Sequence, residues 1–293
     1  MKTTIKLAAL GAVALAASST AALAGSELPK GVTTGLSIGM PLPEGVYDVS
    51  VGSYGSRNGA SEAYAIPVWL IWWTPWQIAG GRVVIDTATG VADAWKAGEP
   101  GTDSFLNTLV EAGIGWNLGH GWGVSVHAGA WLPSTQALPT ALGRDYTAFQ
   151  GAAAVSYVGG GWNLSATGVY GSGGNKEYGV LGAGSAQQAD WVNLDLTAVK
   201  HYGKFETGLI AYGSWDLSDS GKVTCYLATG VGSACRQSQF AVGSLVGYDF
   251  GAFLAQFKLT EDVMQTNYGN KEVRGQLTII KPLWNPAAEG PLK

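Results

Sequence analysis

Charged residues are scarce in this sequence of 293 amino acids. Only 13% are Asp, Glu, Lys or Arg, about half the ~25% of an ordinary soluble domain. The net charge of −4 leaves no excess of basic residues with which to bind a nucleic acid. The 2 cysteines and 3 histidines do not make a zinc site. We therefore expect no metal, no cofactor and no nucleic-acid partner.

Long apolar runs are also missing after the first 24 residues. The longest extends from Ala65 to Trp73 and is interrupted by Pro67, well short of the ~18 residues that a membrane-spanning helix requires. Glycine and tryptophan, by contrast, are abundant, with 44 and 12 residues. If such a chain spans a membrane, it must do so as a closed β-barrel, because lipid cannot satisfy an open sheet edge.

The first residues have the pattern of a secretory signal peptide. Lys2 and Lys6 precede an apolar run from Leu7 to Ala17, and Ala22-Leu23-Ala24 form a small-residue cleavage site. The apolar run is too short to span a bilayer, so an anchor is the weaker interpretation. We expect residues 1–24 to be removed during export.

The two cysteines, Cys225 and Cys235, lie close together in the exported part of the chain. A small, even number of cysteines in an exported protein favours a disulfide bond, and two free thiols are the alternative. Closing so short a loop would contribute roughly 2–3 kcal/mol.

Apolar and polar residues alternate along several segments. In residues 192–198, Val192 and Leu194 alternate with Asn193 and Asp195, and segments 122–130, 253–260 and 272–279 show the same period of two. This pattern is typical of strands with one apolar and one polar face. A soluble antiparallel sandwich would show it too, so the alternation alone leaves both architectures open.

The connections between these segments favour the barrel. Short turns at 119–121, 159–161, 202–204 and 250–251 alternate with long polar connections at 133–143, 172–188, 217–237 and 265–270. Outer-membrane barrels have short periplasmic turns and long external loops in this order.

The positions of the aromatic residues also favour the barrel, because these residues concentrate at the predicted strand ends, where the hydrocarbon of the bilayer meets the headgroups. Near the short turns lie Trp73, Trp76, Trp116, Trp122, Tyr157, Trp162, Tyr202, Phe205, Tyr248, Phe250, Phe253 and Trp284. Near the long connections lie Tyr54, Phe105, Trp131, Tyr146, Tyr170, Trp191, Trp215 and Phe240.

We therefore predict an all-β fold, a transmembrane antiparallel up-and-down barrel of about twelve strands within residues 46–284. The strands are predicted at 46–55, 63–73, 79–88, 104–118, 122–132, 144–158, 162–171, 189–201, 205–216, 238–249, 252–264 and 271–284. Residues 25–45, rich in proline and glycine, are predicted to be a periplasmic segment that either plugs the lumen or forms a loose tail. Residues 285–293 form a C-terminal tail.

Several segments resemble one protein family. They include Pro41 to Tyr47, Trp73 to Gly81, Gly113 to Gly119 with Gly129 to Pro133, Ser156 to Trp162 and Ile279 to Trp284. They are similar to the SphA-like outer-membrane proteins described as "Putative MetA-pathway of phenol degradation". The resemblance implies an outer-membrane barrel with an uptake role connected to the breakdown of aromatic compounds, and it brings no catalytic residues.

Charged residues predicted to face the lumen are the candidate functional residues, because charges facing lipid are costly. They are Asp48, Arg82, Asp86, Glu111, Asp195, Lys258 and Arg274, together with His127. Glu111 and His127 lie on neighbouring strands close enough to interact. A polar lumen network is a better interpretation of this pair than acid–base catalysis, because no serine near them has a G-x-S-x-G setting.

The predicted function is a non-enzymatic outer-membrane channel of a Gram-negative bacterium for small hydrophobic or aromatic compounds, a solute class implied by the resemblance. A lumen of about twelve strands should be narrow or plugged. The expected partners are outer-membrane lipid, the solute and the barrel assembly machinery. The last is expected because the final strand ends in an aromatic residue, Trp284, which resembles the C-terminal assembly signal of such barrels, although residues 285–293 follow it. An outer-membrane lipase or protease, or a structural or adhesive surface barrel, are the alternatives.

Overall fold

A computed structural model gives the architecture of the chain. The residues it describes are 26–96, 102–133, 146–172, 175–177, 185–187, 189–219, 235–268 and 270–286. Within them, no helix is long and apolar enough to cross a bilayer.

The secondary structure of these residues consists of β-strands. Twelve are long: β1 (Gly45–Arg57), β2 (Ala60–Ile78), β3 (Gly81–Lys96), β5 (Thr108–Gly119), β6 (Trp122–Leu132), β7 (Ala148–Gly159), β8 (Trp162–Gly171), β11 (Trp191–Tyr202), β12 (Phe205–Asp216), β13 (Ser238–Asp249), β14 (Leu254–Thr266) and β15 (Val273–Trp284). Three are short: β4 (Thr102–Phe105), β9 (Asn175–Glu177) and β10 (Ser185–Gln187).

The twelve long strands close into an antiparallel barrel. Each pairs with the next along the chain, and the ring is completed where β1 pairs with β15, from Val46 opposite Trp284 to Ser56 opposite Val273. The short β4 adds to β3, and β9 pairs with β10. The predicted barrel and its strand number are confirmed.

The two faces of the barrel wall differ as the alternation predicts. On β14, Phe257 and Leu259 are half exposed on the outside, whereas Gln256 and Lys258 are buried inside. A soluble sandwich would place its apolar residues inside. This wall places them outside, so the barrel is suited to an apolar solvent.

Tight turns connect the strands at one end of the barrel. Between β5 and β6 the chain turns through Gly119, His120 and Gly121, all with positive φ, a conformation that glycine adopts at no steric cost. The turn between the predicted strands 63–73 and 79–88 is shorter than expected. The reason is that β2 continues to Ile78, through a register shift between Trp73 and Gln77. This irregularity accommodates Pro75, which has no N–H for the ladder.

Three of the tryptophans predicted for the aromatic belts lie inside the barrel. Trp73, Trp131 and Trp191 are only 4%, 3% and 0% exposed. Their position in the strand alternation directs them inward, so the belt assignment was wrong for these three. Tyr54, Trp122 and most other members lie on the outer face as predicted.

Candidate functional site

Residues 26–44 form a segment whose first part, from Ser26 to Met40, lies inside the barrel and fills much of its lumen. Val32 is 1% exposed, and Leu28 and Leu36 pack into an apolar cluster with Trp69 and Leu109 of the wall. Successive tight turns compact the segment, with the N–H of Val32 bonded to the carbonyl of Pro29 and that of Thr34 bonded to the carbonyl of Gly31. The segment, called the inner segment below, is therefore a packed element.

Polar wall residues hold the middle of the inner segment. The backbone N–H and the hydroxyl of Thr33 donate to one oxygen of Asp195, at 2.9 and 2.7 Å. The Lys258 ammonium donates to the carbonyl of Thr34. Both charged groups are buried, so these hydrogen bonds replace water that the groups lose.

Gly35 allows the closest approach between the segment and the wall. Its carbonyl accepts from the side-chain amides of Asn163 and Gln256, at 3.1 and 3.2 Å, and its N–H donates to Thr197 at 2.8 Å. Its φ is +82°, and a Cβ there would lie 2.5 Å from Gln256 Oε1. A side chain at this position would therefore displace the segment.

An ionic cluster surrounds Arg274 near the end with the long connections. Its guanidinium donates to Glu272 at 2.8 Å, to Glu62 at 3.3 Å and to the hydroxyl of Ser53 at 2.9 Å. Arg57 also donates to Glu272. Because Arg274, Glu62 and Glu272 are almost completely buried, each charge depends on its partners.

Lys30 of the inner segment faces this ionic cluster. Burial lowers the pKa of Lys30 to about 8, and the carboxylates of Glu272 and Glu62 oppose that shift. Its ammonium lies 4.5 Å from the centre of the Tyr268 ring. The inner segment therefore has a charged contact at this end as well.

A second polar cluster lies on β3, β5 and β6. Asp86 is directly opposite Glu111, and Glu111 and His127 are offset by two positions across the next pair of strands. One side-chain oxygen of each acid and one ring nitrogen of the histidine all lie within 4.8 Å of one another. His127 Nδ1 is 3.3 Å from Glu111 Oε1. The structure thus brings these three predicted residues together.

Ser125 links this cluster to the inner segment. Its hydroxyl lies 3.0 Å from His127 Nε2 and donates to the carbonyl of Ile38 at 2.9 Å. Carboxylate, imidazole and hydroxyl in this order resemble the relay that activates a nucleophilic serine. Here, however, the carbonyl of Ile38 can only accept, so the one hydroxyl proton of Ser125 goes to Ile38 and the serine accepts from the imidazole.

A cavity of about 330 Å³ lies between the inner segment and the wall. Most of its lining is apolar, with Leu36, Trp69, Val84 and Val169 among the side chains, and the Asp86, Glu111 and His127 cluster contributes a polar patch. This combination of an apolar wall and a few polar groups is characteristic of small-molecule sites.

Of the remaining candidates, Asp195, Lys258 and Arg274 lie in the lumen, as described above. Arg82 follows the inward alternation of β3 near the short turns and donates to the carbonyl of Thr74 at 3.2 Å. Asp48 lies between Tyr47 and Val49, which both line the cavity, and pairs with Lys281 at 3.1 Å. The strand alternation therefore directs Asp48 outward, contrary to its predicted lumen position, and the residue is only 3% exposed.

Sequence reasoning missed several charged residues of the lumen. Glu62 was overlooked because it lies just before the predicted strand 63–73, which reads as apolar on both faces. Glu272 belongs to the alternating segment 272–279 but was not included among the candidates. Lys30 was missed because the inner segment has no period, and its contacts come from distant strands. For Glu272 the available signal was its place in the alternation of residues 272–279.

Two predictions involve residues outside the described part of the chain. The signal peptide at residues 1–24 is one of them. Cys235 is disulfide-bonded, but Cys225 lies outside the described residues, so the pair Cys225–Cys235 stays a prediction.

Comparison with known proteins identifies a protein family and solved structures of similar fold. The model of the family described as "Putative MetA-pathway of phenol degradation" matches residues 44–271. The COG4313 outer membrane channel from Pseudomonas putida F1 superimposes with a TM-score of 0.66, covering 83% of this chain and 97% of that chain at 14% identity. This likeness shows the fold. No curated protein sequence matches the chain.

Autotransporter barrels are more distant. The translocator domain of NalP from Neisseria meningitidis has a TM-score of 0.43 and 11% identity, covering 81% of this chain and 88% of that chain. The beta domain of the Bordetella autotransporter BrkA has a TM-score of 0.41 and 11% identity, covering 83% of this chain and 100% of that chain. Similarity at this level does not indicate a function for this chain.

Proposed function

This chain belongs to the family described as "Putative MetA-pathway of phenol degradation", and we propose that it is an outer-membrane channel for the uptake of small hydrophobic or aromatic compounds. The observation that carries the proposal is the apolar cavity of about 330 Å³ inside the barrel. An apolar cavity of ~150 Å³ is large enough to bind benzene, so this one has room for a monocyclic aromatic solute.

The polar patch of the cavity suits a weakly polar aromatic. His127, Glu111 and Asp86 lie on one side, and Trp69 and Val169 contribute apolar lining. A phenolic hydroxyl is both donor and acceptor, so such a solute has a partner in the patch, and its ring is covered by the apolar lining.

We propose that the inner segment is a plug. It occupies the lumen from Ser26 to Met40 and is held by hydrogen bonds to several wall strands, so passage of a solute would require it to shift. Its hydrogen bonds to Asp195 and Lys258 would have to break for such a shift.

The outer face supports a location in a Gram-negative outer membrane, with lipid as its immediate partner. Exposed apolar side chains such as Leu209 and Phe257 cover the wall, and aromatics such as Trp122 and Tyr202 lie at the strand ends, as in barrels of that membrane. Export through a cleaved signal peptide and insertion by the barrel assembly machinery belong to the same proposal.

The rival functions differ in what they require. A lipase or protease would need Ser125 to donate to His127, and this hydroxyl is buried beneath the inner segment and donates to Ile38. An adhesive barrel would not need the apolar cavity. The proposal is therefore a channel that is not an enzyme.

Two neighbouring alanines offer a matched test. Ala152 lines the cavity, and Ala153 is exposed on the outer face of the same strand. Uptake of a radiolabelled monocyclic aromatic is measured in Gram-negative cells with intact lipopolysaccharide that express each variant. Ala152→Phe should reduce uptake to the level of cells without the protein, because the ring occupies the cavity, and Ala153→Phe should match the unmodified protein. Equal uptake in cells with and without the protein would overturn the proposal.

A further inference from the structure

We propose that Asp86, Glu111 and His127 bind one divalent transition-metal ion of the Zn²⁺ class inside the lumen. The three side chains belong to three adjacent strands, and their potential ligand atoms lie within 4.8 Å of one another. Asp86 and Glu111 are 4% and 7% exposed, and the His127 side chain is 8% exposed. Two carboxylates and one neutral imidazole carry two negative charges, which a divalent cation neutralises.

The hydrogen bonds of Ser125 settle which ring nitrogen of His127 carries a proton in its neutral form. The hydroxyl of Ser125 has a single proton, which is donated to the carbonyl of Ile38. The contact of 3.0 Å between Ser125 Oγ and His127 Nε2 must therefore be donated by Nε2–H. A neutral imidazole has only one N–H, so its Nδ1 then presents a lone pair.

This lone pair points toward another electron-rich atom. Among the described residues, Nδ1 of His127 has no hydrogen-bond partner, and it lies 3.3 Å from Glu111 Oε1. A charged N–H···O hydrogen bond would be shorter, about 2.7–2.9 Å. Two ligands at about 2.1 Å from a tetrahedral zinc ion lie about 3.4 Å apart. The observed separation therefore fits a shared cation better than a shared proton.

Neighbouring side chains orient the carboxylates as they do around metal ligands. Trp69 donates to Asp86 Oδ1 at 2.9 Å, and Gln150 donates to Glu111 Oε2 at 2.6 Å. The amide of Gln150 is itself fixed, because its oxygen accepts from Trp131 at 2.8 Å. Each acid thus has one oxygen held by a donor, and the other is left for the ion. Such outer contacts position ligands and increase metal affinity.

Two glycines make room for the ligands. Gly113 lies opposite His127, and a Cβ there would be 2.6 Å from Nδ1. Gly129 lies opposite Glu111, and a Cβ there would be 2.9 Å from the Cβ of the acid. The absence of a side chain at these two positions therefore lets the imidazole and the carboxylate lie directly against the neighbouring strand.

The ligand set indicates the kind of ion. Imidazole favours zinc, iron, nickel and copper, whereas carboxylates also accept magnesium, calcium and manganese. One nitrogen and two oxygens therefore favour a borderline ion such as Zn²⁺ over Mg²⁺ or Ca²⁺. Because three protein ligands leave one tetrahedral position, the fourth ligand would come from the adjoining cavity.

The test is metal binding by the full-length protein purified in detergent and treated with a chelator. Zn²⁺ is titrated by calorimetry, and the bound metal is counted by mass spectrometry after dialysis. Co²⁺ is used as a spectroscopic probe, because its visible absorption reports coordination number. We expect one ion per chain and the absorption of four-coordinate Co²⁺.

Matched variants locate the site. His127→Gln and Glu111→Gln should abolish stoichiometric binding, whereas His120→Gln, which changes an exposed turn histidine, should leave it unchanged. Gln150→Ala should weaken binding about 10–100-fold, as loss of an outer contact does. Heat-modifiable migration on gels shows that each variant has folded.

Two results would overturn the metal site: absence of Zn²⁺ binding to the unmodified protein, or equal binding by His127→Gln. Either result would leave Asp86, Glu111 and His127 as a polar cluster of the lumen that holds no ion. The readout is independent of solute uptake, so failure here is distinct from failure of the channel proposal.

Discussion

Thr33 and Asp195 are 162 positions apart and share two hydrogen bonds to a single carboxylate oxygen. The contact joins the inner segment to the middle of β11. Leaving a buried hydrogen-bonding group without its partner costs about 1–3 kcal/mol. This pair is therefore a principal attachment of the inner segment to the wall.

Replacing Asp195 by alanine should loosen the inner segment without opening the barrel. Thr33 loses the acceptor for its N–H and its hydroxyl, so we expect docking to weaken by about 1–3 kcal/mol. The measurement is the rate at which a protease cleaves within residues 26–44 of the folded protein. Asp219→Ala is the control, because Asp219 is exposed and its pair with Arg236 lies on the surface. Equal cleavage of both variants would show that Asp195 does not attach the inner segment to the wall.

The ionic cluster makes a prediction about the stability of the whole barrel. Arg274→Met leaves the carboxylates of Glu62 and Glu272 buried with fewer cations, and breaking a buried pair costs about 3–5 kcal/mol. Arg236→Met removes an exposed pair, which contributes about 0–1 kcal/mol. Urea unfolding in lipid vesicles, followed by tryptophan fluorescence, compares the two. A similar loss of unfolding free energy in both variants would show that burial does not strengthen the dependence on Arg274.

The burial of Lys30 predicts that docking of the inner segment on the barrel wall depends on pH. Its pKa is lowered to about 8 by burial, below the ~10.4 of an exposed lysine. Between these values the released segment binds more protons than the docked one, so docking becomes more favourable as the pH rises through this window. Below about pH 7 both states are protonated and the dependence vanishes.

The check on Lys30 is a ratio of cleavage rates. Cleavage of the inner segment is measured from pH 7 to pH 10 in the unmodified protein and in Lys30→Met, so the pH dependence of the protease cancels. We expect the rate of the unmodified protein relative to the variant to fall as the pH rises. A ratio that stays constant or rises with pH would show that docking does not lower the pKa of Lys30.

The barrel could be predicted from the sequence, whereas the contacts of the inner segment inside it could not. Alternation along a strand is local, so the outward side of residues such as Leu194 and the inward side of Asp195 could be predicted from their neighbours. The same rule, applied consistently, would have placed Trp131 inside and Asp48 outside. Both were misassigned because position along the strand and charge were given more weight than alternation.

The site depends on relations that no local pattern contains. Asp86, Glu111 and His127 meet only because the register of three strands places them at one level, and register is set by bulges such as that near Pro67. The inner segment contacts β6, β7, β8, β11 and β14 through side chains far away in sequence. Its glycine- and proline-rich composition indicated irregular structure and gave no indication of which residues it would contact.

The most direct test of the account is the electrical conductance of the protein in planar lipid bilayers. The unmodified chain is compared with a variant that lacks residues 26–40, after both have shown heat-modifiable migration as folded barrels. If the inner segment closes the lumen, the unmodified protein should show little conductance and the shortened one a stable open pore. Equal conductance of the two proteins would contradict a lumen closed by its own N-terminal segment.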